Sequence, residues 1–541
     1  MSTYSSSPTA TGPVLAGTPF VSRYARRAMV SSVDNLATEA GVAMLRRGGS
    51  AVDAALAANA VLAVVLPNQC GLGGDLFAIV HRDPEKPVAI NASGRAGSGA
   101  DPDALRAEGF TRMPSRGNVA SVPVPGCVDG WVELHRRFAR LGLEEVLEPA
   151  RRYADDGFPA PPYLTEAVPK VVTTSAGPEL APGGNLGPGD VIHRPGVGRL
   201  LAGIASGGRR AFYEGEFGES LIDLGAGQYT EDDLRRTQAQ WVDPLSVRLW
   251  GRDVWTAPPN SQGYLALSAG WIAERLDLPS DPTDPLWAHL LVEAARQAAY
   301  DRPEVLHEGA DGRDLLAPDR LEPRLAAVSR TGTADVADPS MPGGTTYLCT
   351  VDDDGMSVSL IQSNAQSFGS HLVVGDTGVF LHNRGIGFSL EEGHPAEYRP
   401  GRRPPHTLAP ILVTNPDGGL HAALGTRGGD SQPQVLLQLL TRLLFHGQDP
   451  AAAVAAGRWV LRGAEDDTSF NTWGYHGSVR VALEGQVPGS WAEALRDLGH
   501  RVELEPPYDH PFGHAQVIVA ERARLTGAAD PRALSGTVGG F

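Results

Sequence analysis

The stretch that decides the fold is Gly343-Gly344-Thr345-Thr346-Tyr347-Leu348-Cys349-Thr350-Val351-Asp352, a candidate cleavage site followed by a predicted buried strand. Two glycines leave the peptide bond before Thr345 unhindered, so the Thr345 hydroxyl can attack the preceding carbonyl carbon. Cleavage between Gly344 and Thr345 would leave a free α-amine beside that hydroxyl, which places nucleophile and base on one residue. The alternative is a plain Gly-Gly turn that leads into a strand.

Other segments extend this pattern in a fixed order along the chain. They are Gly48-Gly49-Ser50-Ala51-Val52-Asp53-Ala54-Ala55, Pro67, Gly71-Leu72-Gly73-Gly74, Phe77, Val124-Pro125-Gly126, Ala257-Pro258-Pro259, Glu293-Ala294, Asp301-Arg302, Gly428-Gly429 and Ala529-Asp530-Pro531-Arg532. Together with the Gly-Gly-Thr-Thr stretch, they resemble the γ-glutamyltranspeptidase family of N-terminal-nucleophile hydrolases, whose precursors cleave themselves before a threonine. Each motif alone is weak evidence for the family, and the assignment depends on the whole set occurring in the family's order.

The resemblance implies an α+β fold, a four-layer αββα sandwich. It also implies a single catalytic domain, in which residues 1–344 form the large-subunit part and residues 345–541 form the small-subunit part that begins with the nucleophile. These two fragments of one precursor are expected to remain associated. The pattern of the sequence alone supports only a mixed α and β fold.

Composition limits the possible partners. The chain of 541 residues has 42% hydrophobic residues and a formal charge of −17, which suits a large soluble enzyme and repels nucleic acid and anionic membranes. Cys70, Cys127 and Cys349 are widely spaced and form no metal-ligand pattern. We therefore expect a small-molecule substrate, no metal and no cofactor.

The first 20 residues are rich in Ser, Thr, Pro and Gly, without the basic start and apolar run of a secretory signal. No stretch approaches the roughly 18 to 20 apolar residues of a membrane span. The sequence therefore predicts a flexible tail over residues 1–20 on a cytoplasmic protein, which makes glutathione salvage outside the cell a poorer fit.

Periodicity and glycine or proline breakers predict the elements. Helices are predicted at 36–47, 51–66, 127–140, 144–156 and 433–445. Strands are predicted at 76–80, 88–92, 346–351, 356–363, 378–381, 409–414 and 420–424. Residues 303–344 lack sustained alternation, and we expect a mobile pre-cleavage segment there, with an ordinary long loop as the alternative.

The family resemblance assigns the catalytic residues. Thr345 would attack an acyl carbon, and its α-amine, with an ordinary pKa of about 8, would accept the proton. Ser363 falls where the family has a second threonine that orients the nucleophile. Gly428 and Gly429 match the glycine pair whose N–H groups form the oxyanion hole. The structural alternatives are a serine on a strand face and a plain tight turn.

The predicted substrate residues depart from the transpeptidase pattern. Ser93 stands where the family has a carboxylate-binding arginine, and Arg95, two positions on, is expected on the same strand face as the clamp. The alternative is a structural arginine. Asn383 is followed by Arg384, and Gly387 stands where an aspartate would hold an ammonium group.

His406 and Thr407, within Arg403-Pro404-Pro405-His406-Thr407, replace paired serines that contact the α-carboxylate. The resulting pocket should accept anions and lack an ammonium site. The sequences Asn383-Arg384-Gly385 and Arg403-Pro404-Pro405-His406-Thr407 resemble those of the acylase-like branch of the family, which includes glutaryl-cephalosporin acylases and oxamate amidohydrolase.

These residues predict an autoprocessed amide hydrolase that acts on a small acyl amide bearing a second carboxylate. Three alternatives stay open: a γ-glutamyltransferase or glutathione hydrolase, a carbon–carbon bond hydrolase of an antibiotic pathway that removes an oxalyl-type group, and an unprocessed binding protein.

Overall fold

The computed structural model describes residues 20–334, 344–463, 479–521 and 523–541. Nearly all of the predicted tail over residues 1–20 lies outside these ranges, as do residues 335–343 of the predicted pre-cleavage segment. No helix in the described ranges is long and apolar enough to cross a membrane.

The strands include four short pairing segments and several longer strands that build two sheets. Their bounds are β1 Arg23–Ala25, β2 Met29–Ser32, β3 Asp75–Arg82, β4 Val88–Ala92, β5 Phe158–Pro159, β6 Val191–Ile192, β7 Gln240–Val242, β8 Leu245–Leu249, β9 Arg252–Thr256, β10 Gly344–Val351, β11 Met356–Ala365, β12 Val373–Val374, β13 Val379–Phe380, β14 Ile411–Thr414, β15 Leu420–Gly425, β16 Trp459–Arg462, β17 Arg480–Glu484, β18 Arg501–Glu505, β19 Gln516–Glu521, β20 Arg524–Ala529 and β21 Thr537–Gly540.

The helices precede, separate and follow these strands. Their bounds are α1 Asn35–Arg46, α2 Ala51–Val65, α3 Pro102–Ala107, α4 Cys127–Phe138, α5 Leu143–Asp156, α6 Pro162–Ala167, α7 Gly177–Leu180, α8 Pro195–Tyr213, α9 Glu216–Gly225, α10 Glu231–Arg235, α11 Tyr264–Glu274, α12 Pro285–Ala299, α13 Arg302–Val305, α14 Pro318–Ala326, α15 Gln432–Leu440, α16 Pro450–Ala455 and α17 Trp491–Asp497.

Two seven-stranded antiparallel sheets form the centre of the molecule. One has the strand order β1-β20-β19-β15-β14-β9-β8, and the other has the order β21-β2-β10-β11-β3-β4-β7. Phe77, Tyr347, Leu412 and Ile518 come from both sheets and share one buried cluster between them. Helices α1, α2, α4 and α5 cover the sheet that contains β10, and α11 and α15 cover the other. The predicted four-layer αββα sandwich is confirmed.

Local sequence explains how β10 and β11 are aligned. Asp352 closes the hairpin turn between them, because its carboxylate accepts the N–H of Asp354 at 3.0 Å and that of Met356 at 2.9 Å. The other Asp352 oxygen accepts the Ala51 N–H at the start of α2, at 2.9 Å. The hairpin is therefore tied to the buried helix beneath it, and its pairing places Thr346 opposite Gln362.

The predicted elements agree with the structure except in the segment over 303–344. Its described part contains the helix α14, which begins at Pro318 and holds a second proline, Pro323. Arg324 anchors this helix through the Gln297 carbonyl at 2.6 Å and the Asp301 carboxylate at 2.6 Å. The prolines and charged residues hid the helical pattern, and release of the segment after cleavage stays a prediction.

Candidate active site

Thr345 and Ser363 meet at the open end of the β10–β11 hairpin, where a bulge shifts the register between Gly344 and Thr346. Thr345 Oγ1 donates a hydrogen bond to Ser363 Oγ at 3.0 Å, and Ser363 Oγ in turn donates to the Gly344 carbonyl oxygen at 2.5 Å. The Ala365 N–H donates to the same serine oxygen at 2.8 Å. One buried hydroxyl therefore contacts both the predicted nucleophile and the carbonyl of the predicted scissile bond.

Gln69 contacts Thr345, and Arg427 contacts Gln69; neither residue was predicted from the sequence. The Thr345 N–H donates to Gln69 Oε1 at 3.1 Å, and Arg427 Nη1 donates to the same oxygen at 3.1 Å. Gln69 lies next to the Gly71-Leu72-Gly73-Gly74 turn, and Arg427 directly precedes Gly428. Their positions beside two glycine turns are the one signal that could have drawn attention to them.

The Gly428-Gly429 turn lies between β15 and α15 in a conformation that favours glycine. Gly428 has φ 141° and Gly429 has φ 56°. Ser431 Oγ donates to the Gly428 carbonyl at 2.8 Å, and Gln262 Nε2 donates to the Gly429 carbonyl at 2.9 Å. The Gly428 carbonyl shares its peptide plane with the Gly429 N–H, and the Thr426 hydroxyl holds the plane of the Gly428 N–H by donating to the Arg427 carbonyl at 2.8 Å. Both N–H groups are therefore fixed in direction, as donors to a developing negative charge must be. Their use as an oxyanion hole stays a prediction.

Gln262 also joins this turn to the predicted substrate residue Thr407, whose carbonyl oxygen accepts from Gln262 Nε2 at 3.1 Å. The Thr407 hydroxyl is buried and has no hydrogen-bond partner in the part of the chain that the structure describes. An unpaired buried hydroxyl is costly, so this group is a candidate contact for a bound substrate.

Asn383 is fully engaged within the protein. Its Nδ2 donates to Gln366 Oε1 at 2.7 Å and to the Ser115 carbonyl at 2.8 Å, and its Oδ1 accepts the Gln366 N–H at 3.1 Å. The side chain holds the loop that follows β11 to the loop around residue 115. A direct substrate contact would have to replace one of these bonds.

His406 is held on both ring nitrogens. Nε2 lies 3.1 Å from Asp75 Oδ2, and Nδ1 accepts the Leu408 N–H at 3.3 Å. Asp75 also accepts the N–H groups of Gly94 at 3.0 Å and Gly126 at 3.3 Å. The structure therefore gives His406 a role in fixing the segment around it, which the sequence could not show because Asp75 is distant along the chain.

Burial and the neighbouring Arg384 lower the pKa of His406 to about 3, so its imidazole is neutral near pH 7. Burial alone would raise the pKa of Asp75, but the neighbouring His382, His406 and Arg384 outweigh burial and hold the pKa below its usual range. Asp75 therefore stays ionised and contributes a negative charge to this side of the site.

Arg384 is buried, with 1% of its surface exposed. Burial lowers its pKa to about 10, and the carboxylates of Asp75 and Asp430 oppose this effect, so the guanidinium is protonated near pH 7. Arg384 therefore carries a positive charge that the carboxylates of Asp75 and Asp430 partly balance, and its place in a substrate pocket stays a prediction.

The glycines after Arg384 leave no space for an acidic side chain. A Cβ atom at Gly387 would lie 2.6 Å from the Pro405 carbonyl oxygen, and one at Gly385 would lie 2.7 Å from the backbone of Ser121. Both separations are closer than van der Waals contact permits. An aspartate at position 387 would require the Pro405 backbone to move, which agrees with a pocket that lacks an ammonium site.

Arg95 does not follow the expected strand pattern. Strand β4 ends at Ala92, so the two-residue period from Ser93 to Arg95 does not apply, and the strand-face position predicted for Arg95 is wrong. Arg95 Nη1 instead donates to Glu308 Oε1 and to the Gly401 carbonyl, the latter at 3.0 Å. The clamp role stays a prediction, and it would require the substrate carboxylate to displace Glu308.

Neutral, buried His406 should make the fold sensitive to acid. The unfolded chain takes up a proton at this residue below about pH 6.5, and the folded protein does not until about pH 3. The free energy of unfolding should therefore fall by up to about 1.4 kcal/mol per pH unit as pH decreases through this window. We expect His406→Asn to have a lower unfolding midpoint at pH 7.5 and a shallower decline toward pH 4.5.

Thermal unfolding at five pH values between 7.5 and 4.5 measures this slope. The matched control is His193→Asn, since His193 is exposed. An equally steep decline for His406→Asn and the wild type would contradict the buried neutral imidazole.

The αββα sandwich, with a threonine at the start of a central strand and a hydroxyl against the preceding carbonyl, defines the class of N-terminal nucleophile hydrolases. The family model described as gamma-glutamyltranspeptidase matches residues 37–540. The chain belongs to the gamma-glutamyltranspeptidase family, and it is an enzyme of that family.

Two curated relatives cover nearly the whole chain. The glutathione hydrolase-like YwrD proenzyme of Bacillus subtilis (strain 168) is 37% identical over 530 residues, covering 94% of this chain and 98% of the relative. The oxamate amidohydrolase proenzyme of Klebsiella pneumoniae is 34% identical over 533 residues, covering 95% of this chain and 98% of the relative.

A solved structure is similar over the same extent. The cephalosporin acylase from Bacillus halodurans superposes with a TM-score of 0.87 at 30% identity, covering 99% of both chains. This similarity supports the four-layer architecture over both predicted subunit parts.

Proposed function

We propose that the chain is an autoprocessed amidohydrolase that cleaves a small acyl amide bearing a second carboxylate, of oxamate or glutaryl type, through an acyl-enzyme on Thr345. In this proposal, residues 1–344 and 345–541 become the large and small subunits of one catalytic domain. The observation that carries it is the Thr345 Oγ1–Ser363 Oγ contact of 3.0 Å, with Ser363 against the Gly344 carbonyl at 2.5 Å.

The same geometry supports self-cleavage. Thr345 Oγ1 attacks the Gly344 carbonyl carbon, the hydroxyl proton passes to the Thr345 nitrogen, and the C–N bond breaks to leave an ester. Water then hydrolyses the ester, which releases the Gly344 carboxylate and leaves Thr345 with a free amine and a free hydroxyl. The Ser363 hydroxyl can polarise the carbonyl through its hydrogen bond to the oxygen.

Turnover repeats this chemistry on a substrate. The Thr345 hydroxyl adds to the acyl carbon, and the neutral α-amine accepts the hydroxyl proton and delivers it to the leaving amine. Water deacylates the enzyme in the second half of the reaction. The N–H groups of Gly428 and Gly429 would stabilise the negative charge on the substrate oxygen, a contribution of about 3 to 4 kcal/mol per donor in comparable sites.

Three observations support the acyl class. Arg384 carries a positive charge near Asp75, which pairs with Ser363 in the neighbouring strand, and the collisions at Gly385 and Gly387 exclude an acid there that could hold a substrate ammonium group. The names of two similar proteins, an oxamate amidohydrolase and a cephalosporin acylase, fit a carboxylated acyl group without that ammonium.

The second candidate is a glutathione hydrolase or γ-glutamyltransferase, since one relative at 37% identity is called glutathione hydrolase-like. It requires an ammonium-binding group from outside the segment 383–387. A carbon–carbon hydrolase would use the same nucleophile, and tests of substrates separate it from the proposal. An unprocessed binding protein would not cleave itself, and a test of self-cleavage separates it.

Incubation with substrate should leave an acyl group on the fragment that begins at Thr345. Intact-mass spectra after rapid acid quenching of mixtures with oxamate, a glutaryl anilide or a γ-glutamyl anilide should show the adduct with one of the first two. The fragment 1–344 of the same sample is the internal control and should keep its mass. An adduct only with the γ-glutamyl anilide would favour the second candidate.

A further inference from the structure

Gln69 Oε1 is shared by two donors, the Thr345 N–H and Arg427 Nη1, each at 3.1 Å. Gln69 and Arg427 are 2% and 4% exposed, so solvent does not separate them. Because both nitrogens lie on one oxygen, they are at most about 6 Å apart, within the range at which charges alter one another's ionisation. The arrangement places a permanent positive charge beside the nitrogen that self-cleavage would turn into an amine.

We propose that Gln69 holds the α-amine of Thr345 after cleavage, and that Arg427, on the other side of the Gln69 amide oxygen, keeps this amine neutral so that it can act as the base. This inference rests on the proposed function. Gln69 and Arg427 are positioning residues, because they act through the amine and touch no reacting bond.

Hydrogen-bond geometry explains the role of Gln69. A neutral amine has two N–H groups and one lone pair, whereas an ammonium ion has three N–H groups and no lone pair. One N–H directed to the Gln69 oxygen limits the directions left for the lone pair, and the adjoining hydroxyl of Thr345 is the proton source within reach. A base whose lone pair is fixed in this way needs no side chain from elsewhere.

Arg427 is itself fixed by further bonds. Its guanidinium donates to the Tyr163 hydroxyl and, through Nη2, to the His510 carbonyl at 2.9 Å. Its centre also lies 5.2 Å from the centroid of the Tyr163 ring. These contacts come from α6 and from the segment before β19, so the charge is held in place by parts of the chain outside the nucleophile hairpin.

Other titratable groups lie on the elements packed around the Thr345 hairpin and Arg427. They are Arg116 on the carbonyls of residues 367 and 369, Cys70 before β3, Asp75 at the start of β3 opposite Ser363, Arg384 near Asp75, Asp430 near Arg384, and Glu166, His510 and His514 around Arg427. Burial lowers the pKa values of His510 and His514, so both rings are neutral near pH 7. Burial raises the pKa of the Cys70 thiol, which is neutral as well.

The experiment compares the pH dependence of kcat/KM in processed wild type, Arg427→Gln, Arg427→Lys and Gln69→Glu. The probe is glutaryl-p-nitroanilide, or γ-glutamyl-p-nitroanilide if only that is hydrolysed. The acid limb of kcat/KM reports the base of the free enzyme. We expect this limb to move up by about one pH unit in Arg427→Gln, further in Gln69→Glu, and to stay in place in Arg427→Lys.

Arg442→Gln is the matched control, since Arg442 is a buried arginine that stacks on Trp287 and bonds Gln448, away from Thr345. Its acid limb should coincide with that of the wild type. A limb that stays in place in Arg427→Gln and Gln69→Glu would overturn the inference and leave the proposed function intact. If Arg427→Gln yields no processed enzyme, Gln69→Glu alone decides.

Failure of the proposed function has a different signature. In that case the wild type itself shows no cleavage before Thr345 or hydrolyses neither anilide. Self-cleavage adds a further distinction, because Thr345 is then an amide and has no amine to titrate. The pH dependence of cleavage should therefore not shift in Arg427→Gln, and a parallel shift in both reactions would also overturn the inference.

Discussion

Thr345→Ala is expected to remain a single chain of 57.0 kDa, while the wild type separates on a denaturing gel into fragments 1–344 and 345–541 without added protease. The reason is local: alanine has no hydroxyl to attack the Gly344 carbonyl carbon, and the neighbouring Ser363 hydroxyl is engaged as a donor to the carbonyl oxygen. N-terminal sequencing of the smaller fragment should begin at Thr345. Hydrolase activity should be lost together with cleavage.

Two variants separate chemistry from folding. Thr345→Ser keeps a hydroxyl on the same carbon and should still cleave. Ser363→Ala keeps the Thr345 nucleophile but removes the hydroxyl that contacts both it and the carbonyl, so cleavage should slow by about 10²- to 10³-fold, the usual effect of losing one such donor. A new terminus elsewhere, or cleavage of Thr345→Ala, would refute the assignment of Thr345.

The sequence predicts well where neighbouring elements decide the geometry. Thr345 and Ser363 lie on two strands joined by the short turn at Asp352, at the ends far from that turn. Antiparallel pairing brings together residues at similar distances from the turn. The pairing of Thr346 with Gln362 shows this alignment and explains why Ser363 lies beside Thr345. The αββα layers were predicted from the family resemblance, because the pattern of the sequence alone supports only a mixed α and β fold.

The sequence predicts poorly where a contact joins distant segments. Arg427 donates a hydrogen bond to Gln69, which contacts Thr345, although Gln69 and Arg427 lie 358 positions apart. Nothing in the sequence around either residue indicates that it contacts the other. Similarly, the Asp75 carboxylate contacts the His406 ring, although the two residues lie 331 positions apart. The expected strand-face position of Arg95 was wrong for a different reason, since side chains no longer alternate between two faces once β4 has ended at Ala92.

The site chemistry also predicts a preference among substrates. A glutaryl or oxamyl amide should be turned over better than the matching γ-glutamyl amide, by tenfold or more in kcat/KM, which is about 1.4 kcal/mol of transition-state preference. The γ-glutamyl amide carries an ammonium group that would lie near Arg384, and Gly387 has no room for an acid to receive it. Initial rates for the three amides, measured at equal ionic strength, test this preference.

The variant Arg384→Gln tests whether Arg384 causes this substrate preference. It should weaken carboxylated substrates by tenfold or more in kcat/KM and neutral acyl amides much less, because only the former lose a charge-assisted contact. In this variant Asp75 and Asp430 would keep their buried negative charges without the Arg384 charge. The double variant Arg384→Gln,Asp430→Asn is therefore measured beside it, because it removes one positive and one negative charge together. Arg95→Ala is the comparison, and a larger effect there would make Arg95 the carboxylate clamp. If γ-glutamyl amides prove tenfold better for the wild type, the acylase proposal fails and the transpeptidase alternative replaces it.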